Sequence, residues 1–295
     1  MRKLLQTQCL SFGIVFFLLM SIGFISCTDQ SSGSPAGFDI RNPVKSELGK
    51  DLNEISGLTF SIQDTSILAV SDSKRKVFQI DLRHLKLRDY SEKIYEQSDF
   101  EDLVKIDTTI YVLISNGTIL EMPLQVKDST RTVAHPFWSK DKNDFETMYY
   151  DSTVNSLIIM CKTCEADKDQ KVRNAYRFDL ATKTFDSSAF FSISRQDVKA
   201  AMKNDDADFK PSAAAIHPVD KRLFILSSAG QLLVIADMRG KVQEAYSLNP
   251  DLHPQSEGIT FAPNGTMYIS NEGKYGKPTL LMFPYKPKRV SRKNK

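Results

Sequence analysis

The chain has 295 residues, enough for one large domain or two small ones, and its 41% hydrophobic and 25% charged residues can supply a full core. Eighteen Phe and ten Tyr against 13 Gly are typical of a sheet-rich fold and exclude a disordered chain. The formal net charge is only +3, and six positive residues fall among the last ten, so the body has no basic stripe of the kind that nucleic-acid binding requires.

The first residues form a targeting segment. Arg2 and Lys3 precede an almost entirely apolar stretch, residues 9–25, and the sequence Phe24-Ile25-Ser26-Cys27 resembles the site read by the lipoprotein signal peptidase. We expect residues 1–26 to be a signal peptide and Cys27 to become the lipidated first residue. The alternatives are a plain signal peptide or an uncleaved anchor, although 17 apolar residues are near the short limit for a membrane span.

A linker rich in Gly, Ser and Pro follows, and residues 27–37 are predicted to be a flexible tether. From Asp39 onward one pattern recurs: an acidic residue, an apolar strand, a turn, and a second apolar strand that ends in a polar residue. The copies start at residues 54, 101, 146, 212 and 257, with spacings of 47, 45, 66 and 45 residues. A period near 45 residues with short strands is typical of propeller blades.

The repeats predict an all-β fold, a β-propeller of about five four-stranded blades over residues 38–286. Six blades are the alternative, because the long third interval could hide a degenerate one. Its 21 extra residues are better explained by a charged hairpin tip at Glu165 to Arg173 and a short helix that starts at Ser194. Asp39 to Leu48 could supply the outer strand of the last blade, and residues 287–295 are a basic tail, expected to be frayed.

Four segments resemble the SdiA-regulated (YjiK-like) family. They are Asn53-Glu54-Ile55-Ser56-Gly57-Leu58, Asp99-Phe100-Glu101-Asp102-Leu103, Lys210-Pro211-Ser212-Ala213, and Ser256-Glu257-Gly258-Ile259 with Ser270-Asn271-Glu272. The resemblance covers nearly all of residues 39–285. It implies a bacterial envelope protein with an NHL-like propeller, and it implies no particular biochemical activity.

The repeat also predicts a site. The loop before each inner strand should lie at one mouth of the central channel, and this places five residues there: Glu54, Glu101, Glu146, Ser212 and Glu257. The ends of the second strands should form an outer circle: Asp72, Asn116, Lys162, Ser228 and Asn271. We expect the ligand to meet Asp72, Asn116, Lys210, Ser212, Asn271 and Glu272.

Two interpretations of the four glutamates stay open. Carboxylates crowded around one axis raise each other's pKa unless a cation compensates, and Ca²⁺ accepts six to eight oxygen ligands from loops. Glu54, Glu101, Glu146 and Glu257 are therefore candidate calcium ligands. In the other interpretation each carboxylate accepts backbone N–H groups from the next blade and braces the ring, with Lys210 offsetting part of the charge.

The remaining motifs point to little chemistry. Cys161 and Cys164 form the only CxxC pair, which in an oxidising compartment is expected to be a structural disulfide. The four His are scattered, and no nucleophile or nucleotide-binding motif is present. Asn116-Gly117 and Asn264-Gly265 are interpreted as tight turns.

Two functions follow as hypotheses. The first is a binding or scaffold module on the bacterial cell envelope, held by lipid on Cys27 in the outer membrane and facing the periplasm or the surface. Its partner would be an envelope protein or small ligand on the Glu-lined face, and no nucleic acid. The second is a calcium-dependent hydrolase of esterase, lactonase or phytase type with a base such as Glu146.

Overall fold

A computed structural model of the protein describes residues 33–91, 94, 99–123, 132–274 and 276–287. The predicted signal peptide, Cys27 and the tail beyond Pro287 lie outside these residues. Within them, 21 strands form five antiparallel sheets beside one α-helix. No helix of the described segments combines the length and the apolar character that crossing a bilayer demands.

The strands follow one another in chain order. The first, β1 (Val44–Glu47), precedes the repeats. Blade 1 contains β2 (Ile55–Ser61), β3 (Ser66–Ser71), β4 (Lys76–Asp81) and β5 (Leu87–Asp89). Blade 2 contains β6 (Phe100–Ile106), β7 (Thr109–Ile114), β8 (Ile119–Pro123) and β9 (Val133–His135).

The other blades continue in the same way. Blade 3 contains β10 (Phe145–Asp151), β11 (Ser156–Cys161), β12 (Val172–Asp179), β13 (Thr184–Phe185) and β14 (Phe191–Ser194), and α1 (Arg195–Met202) follows it. Blade 4 contains β15 (Ala213–Ile216), β16 (Leu223–Ser227), β17 (Leu232–Ala236) and β18 (Val242–Ser247). Blade 5 contains β19 (Ser256–Phe261), β20 (Met267–Asn271) and β21 (Thr279–Phe283). Short 3₁₀ turns lie at Lys50–Leu52 and Glu165–Asp167.

The five inner strands β2, β6, β10, β15 and β19 contact one another in a closed circle. The chain is a five-bladed β-propeller, which confirms the predicted fold and number of blades. The N-terminal β1 pairs antiparallel with β21, from Val44 opposite Met282 to Glu47 opposite Thr279, and so becomes the outer strand of blade 5. Ring closure by the N-terminal segment was predicted, and it ties the first residues of the domain to the last.

Apolar layers between adjacent blades form the core. Each of the five clusters joins two blades; one, for example, packs Tyr149 and Ile158 of blade 3 against Leu223 and Ile225 of blade 4. The second strands β3, β11, β16 and β20 are buried along their whole length, because both of their faces meet a neighbouring sheet.

The long third interval holds no sixth blade. In it β12 is extended to eight residues and pairs with two short strands, β13 at its end and β14 at its start. The helix α1 then begins as predicted, because the Ser194 hydroxyl accepts a hydrogen bond from the Asp197 backbone N–H at 3.1 Å.

Chain direction assigns the two ends of the disc. Every inner strand starts at one end, which we call the acidic mouth, and finishes at the other, which we call the lower face. Second strands return to the mouth and third strands end at the lower face. The hairpin loops after the inner strands, and the segments just before β1 and just after β21, therefore belong to the lower face.

Candidate binding site at the acidic mouth

A β-bulge at the start of the inner strands positions the key side chains. The pairing with the second strand skips one residue at Glu101, between Phe100 and Asp102, and again at Glu146 and at Glu257. Bulges re-aim side chains at the rims of sheets, and here they occur at the same point in three blades. Strand register makes Ser212 the equivalent residue of blade 4, because Ala213 lies opposite Leu226 as Gly258 lies opposite Ser270.

In blade 1 the residue at the bulge is not Glu54, with which the sequence pattern starts the first repeat. Ile55 lies opposite Ser71 and Leu58 opposite Ala69, so Ser56 occupies the position that Glu101 has in blade 2. Glu54 lies two residues earlier and is equivalent to Asp99. The innermost circle is thus composed of Ser56, Glu101, Glu146, Ser212 and Glu257, with three carboxylates rather than four. The sequence pattern missed the bulge because an acidic residue happens to precede it.

A second circle follows from one repeated backbone contact. In blades 1, 2, 3 and 5 the residue after the second strand donates its N–H to the carbonyl of the residue two positions before the bulged one. The bonds are Asp72 to Glu54 at 3.1 Å, Ser115 to Asp99 at 3.1 Å, Lys162 to Asp144 at 2.8 Å and Glu272 to Gln255 at 3.0 Å. In blade 4 the Ser228 N–H donates instead to the Ser212 hydroxyl at 3.2 Å. Asp99 and Asp144 were missed from the sequence, although each lies two residues before a predicted glutamate.

The mouth encloses a cavity of about 500 Å³ on its blade 5, blade 1 and blade 2 side. Five acidic residues line it: Glu54, Asp72, Asp99, Glu101 and Glu272. Asn53, Ser56, Gly273 and Lys274 complete the wall. Among the predicted binding residues, Asp72 and Glu272 are therefore in this wall, as are Glu54 and Glu101 of the predicted metal ligands.

Lys162 supplies an ammonium group beside the innermost circle. Its Nζ is hydrogen-bonded to Glu146 Oε1, while the other oxygen of this carboxylate, Oε2, is buried without a hydrogen-bond partner. Cys161 and Cys164 are joined by a disulfide, with Cα atoms 5.8 Å apart, so Lys162 lies inside a covalently closed turn. The carboxylates of Glu146, Glu257 and Asp144 act on this ammonium, and the disulfide fixes the turn that carries it.

The innermost carboxylates hold their protons unusually tightly. Burial, reinforced by the charges of Glu146 and Asp144, raises the pKa of Glu101 to about 9. Burial, followed by repulsion from Glu146 and Glu272, raises the pKa of Glu257 to about 8. A cation that entered the mouth would lower both pKa values and release protons.

Two further carboxyl groups titrate near neutrality. Burial raises the pKa of Glu146 to about 7, although the Lys162 ammonium acts in the opposite direction. Burial, and then the charge of Glu54, raises the pKa of Glu272 to about 7. Against its own burial, the neighbouring Glu146 carboxylate raises the pKa of Lys162, so this side chain stays charged.

The bracing that was expected of the glutamates is provided by two aspartates. Asp72 Oδ1 accepts the Phe100 N–H of blade 2 at 2.9 Å. The carboxylate of Asp102, which is buried, accepts two hydrogen bonds of 2.8 Å. One comes from the N–H of the next residue, Leu103, and the other from the Met148 N–H of blade 3. Ser212 acts similarly, since its hydroxyl donates to the Ser256 carbonyl of blade 5 at 2.9 Å. These bonds fix the blades around the mouth.

Three predicted binding residues are engaged elsewhere. Asn116 is exposed in a tight turn, where its side-chain oxygen accepts the Thr118 N–H at 2.9 Å; Ser115 holds the position expected for it. Asn271 is buried and bonded to Ser256 and Thr279, so Glu272 takes its place at the mouth. Lys210 forms an ion pair with Asp208 at 2.8 Å.

The described residues contain no group of three or more His, Cys, Asp or Glu side chains arranged to hold one metal ion. The carboxylates of the mouth are spread around a ring and a cavity, and one of them is already paired with Lys162. Calcium binding by Glu54, Glu101, Glu146 and Glu257 stays a prediction.

Solved structures share this fold at low sequence identity. The match to a luciferin-regenerating enzyme covers 82% of this chain and 95% of the enzyme chain, with 11% sequence identity and a TM-score of 0.52. Regucalcin from Agrobacterium tumefaciens, described as a calcium-binding protein, covers 85% and 96%, with 11% identity and a TM-score of 0.50. A streptogramin B lyase covers 85% and 100%, with 11% identity and a TM-score of 0.49. At such identities the likeness concerns the fold alone.

Comparison by sequence identifies a family and not only a fold. No curated protein is detectably similar to this chain in sequence. The profile of the SdiA-regulated family, however, matches residues 38–275, which include strands of all five blades. The chain therefore belongs to the SdiA-regulated family.

Proposed function

We propose that the protein is a binding module of the bacterial cell envelope whose acidic mouth takes an organic cation with primary ammonium groups. The observation that carries the proposal is the Lys162 ammonium, which already sits against Glu146 among the carboxylates. The adjoining cavity of about 500 Å³ presents five acidic side chains against Lys274. A polyamine, or a lysine side chain of a partner protein, has the charge and donors that such a wall favours.

Calorimetry on the full chain with putrescine and spermidine tests the proposal. Binding at neutral pH should release protons, because the carboxyl groups of raised pKa ionise around the cation, and the heat should therefore depend on the ionisation enthalpy of the buffer. Glu101→Gln should weaken binding by about tenfold, since a charge-assisted hydrogen bond is lost.

Glu165→Gln is the matched control, because it makes the same substitution at an exposed residue that does not line the cavity and is paired with Lys168 at 3.4 Å. Equal losses in Glu101→Gln and Glu165→Gln would mean that only the net charge matters. No heat with either amine would also reject the proposal.

The second hypothesis, a calcium-dependent hydrolase, has one observation in its favour. Glu146 combines a pKa of about 7 with a carboxylate oxygen that lacks a partner, which suits a general base. Regucalcin is described as calcium-binding, yet the likeness to it extends only to the fold. Calcium added in the same titration, followed by ester, lactone and phosphate substrates, separates the hypotheses: turnover that disappears in Glu146→Gln would replace the binding module by an enzyme.

The envelope location rests on the sequence, because Cys27 is outside the described residues. We propose that lipid on Cys27 anchors the propeller, and that residues 1–26 are removed. Growth with labelled palmitate should label the wild-type protein and leave Cys27→Ser unlabelled. Label in Cys27→Ser, or none in the wild type, would exclude this anchor.

A further inference from the structure

The lower face carries an apolar hollow of about 630 Å³ at the axis of the ring. Inner strands from several blades contribute side chains to it, among them Leu58, Phe60, Met148, Ile216, Ile259 and Phe261. The two openings of the propeller thus differ in character: acidic side chains line the mouth, and mainly apolar ones line the opposite end.

Apolar side chains also project from the loops around this hollow. Ile62, in the loop after β2, is 72% exposed, and Val219, in the loop after β15, is 53% exposed. Large apolar side chains that rim a concave apolar surface mark a contact with a partner or a membrane.

Both ends of the chain leave the propeller from the same face. Phe38 packs on Phe261 and Tyr285, with ring centroids 6.4 Å and 5.2 Å apart. The Lys286 N–H donates to the Gly37 carbonyl at 2.7 Å, so the two terminal segments leave side by side. The sequence beyond is basic: Lys286, Lys288, Arg289, Arg292, Lys293 and Lys295 are six positive residues among the last ten.

We infer that the lower face lies on an anionic lipid bilayer. Ile62 and Val219 enter the boundary between headgroups and acyl chains, and the basic C-terminal residues pair with the headgroups. The apolar hollow and Lys286, at which the basic sequence begins, both belong to this face, which favours one orientation of the disc. The acidic mouth then opens away from the membrane. This inference goes beyond cation binding and does not depend on lipid at Cys27.

Tryptophan fluorescence tests the orientation with the full chain. The only tryptophan, Trp138, lies on the connection from β9 to β10 at the mouth end and is 51% exposed. A second protein carries Ile62→Trp in a Trp138→Phe background. Vesicles of phosphatidylglycerol and phosphatidylcholine with brominated acyl chains should quench the indole introduced at position 62 and leave that of Trp138 almost unchanged. Acrylamide in the aqueous phase should give the reverse order.

Two further proteins make the test decisive. Val219→Trp, also in the Trp138→Phe background, should behave like Ile62→Trp and guards against a local folding defect. Glutamine at the six basic positions should reduce the quenching, as should high salt or phosphatidylcholine alone, because the attraction is electrostatic. Equal quenching of the two ends, stronger quenching of Trp138, or no quenching at either lower-face position would overturn the inference.

Discussion

Lys162 is the residue on which the chemistry of the mouth depends most directly. It lies in the turn closed by Cys161 and Cys164, and its ammonium pairs with Glu146. Because Glu146 Oε2 has no partner, Lys162 provides the main compensation for this buried carboxylate. Lys162 thus places in the mouth the same kind of group, a primary ammonium, that we propose for the ligand.

Lys162→Ala should lower the free energy of unfolding by about 2 kcal/mol at neutral pH, because the buried Glu146 carboxylate loses its partner. Propylammonium chloride should restore part of this loss by occupying the vacated place. Urea denaturation with and without the amine measures both effects.

Lys168→Ala is the control, since Lys168 forms only an exposed ion pair with Glu165 at 3.4 Å. Tetramethylammonium, which has no N–H donors, should not rescue Lys162→Ala. Stabilisation of the wild type by propylammonium to the same extent as the variant would contradict a specific ammonium site.

Glu257 gives the mouth a pH dependence. Its pKa rises from 4.5 to about 8 on folding, so the folded chain holds this proton more tightly than the unfolded chain. Such a group contributes stability that is complete below the unfolded pKa and is lost as the pH rises through the folded one. Glu101, with a pKa of about 9, acts in the same direction.

Glu257→Gln should therefore match the wild type at about pH 4 and exceed its free energy of unfolding by about 5 kcal/mol near pH 9, because glutamine replaces the protonated acid and never ionises. Urea denaturation at both pH values is the measurement. Equal stability of the two proteins at high pH would mean that the Glu257 carboxylate is not destabilised by burial.

At the scale of elements, Asp102 of the inner strand β6 is a brace between blades. Asp102 connects blade 2 to Met148 of blade 3, and it also fills the space beside Gly57 of blade 1. A methyl group at Gly57 would overlap the Asp102 carboxylate and its Cα. Burial raises the pKa of Asp102, against the hydrogen bonds from Met148 and Leu103. One side chain thus joins three consecutive blades.

Asp102→Ala should cost about 3 kcal/mol of unfolding free energy, because the Leu103 and Met148 N–H groups lose their acceptor inside the protein. Gly57→Ala should also be destabilising, and less so when Asp102 is already alanine, since the overlap with the carboxylate is then relieved and only that with the Cα remains. Thermal unfolding of the four proteins in this double-mutant cycle gives the coupling. Gly276→Ala is the control, because a methyl group there meets nothing within 4 Å.

The sequence predicts those strands whose own residues show a recognisable pattern, and it fails for the others. The period near 45 residues and the wholly apolar second strands predict five blades, and they do so correctly. The outer strands β5, β9 and β13 have only two or three residues, too few for an alternating pattern. Their places could be inferred from the fold but not from the residues.

The site could be predicted only in part for a related reason. Glu101, Glu146 and Glu257 occupy equivalent positions because each is the extra residue of the same bulge, and their spacing reveals this. In blade 1 the bulged residue is Ser56, and the nearby Glu54 belongs to the next circle out. A one-residue register shift depends on pairing with a distant strand, so the local sequence cannot distinguish these two positions. The burial of Asp102 likewise depends on a glycine 45 residues away.

For the whole molecule, closure of the ring decides stability. The first described strand completes blade 5, and Phe38 just before it packs beside His217, Phe224, Phe261 and Tyr285. Ser34 to Gly37, predicted as the end of a tether, form a hydrogen-bonded turn: the Ile40 N–H donates to the Ser34 hydroxyl at 3.1 Å and the Phe38 N–H to the Pro35 carbonyl at 3.0 Å. The Lys286 N–H, which donates to the Gly37 carbonyl at 2.7 Å, attaches this turn to the end of blade 5. The N-terminal segment therefore locks blades 4 and 5 together, and its loss should affect every blade.

Phe38→Ala tests this locking role. Phe38 is only 8% exposed, and its removal leaves a cavity at the junction of the two chain ends, so the free energy of unfolding should fall by about 3 kcal/mol. Phe190→Ala is the matched control, because Phe190 is 37% exposed and should cost much less. If the ring unfolds as one unit, urea denaturation of Phe38→Ala will remain a single transition at lower urea with the same slope. Two separate transitions would mean instead that blades 4 and 5 can open while the other blades stay folded, so that the N-terminal strand secures only the blades it touches.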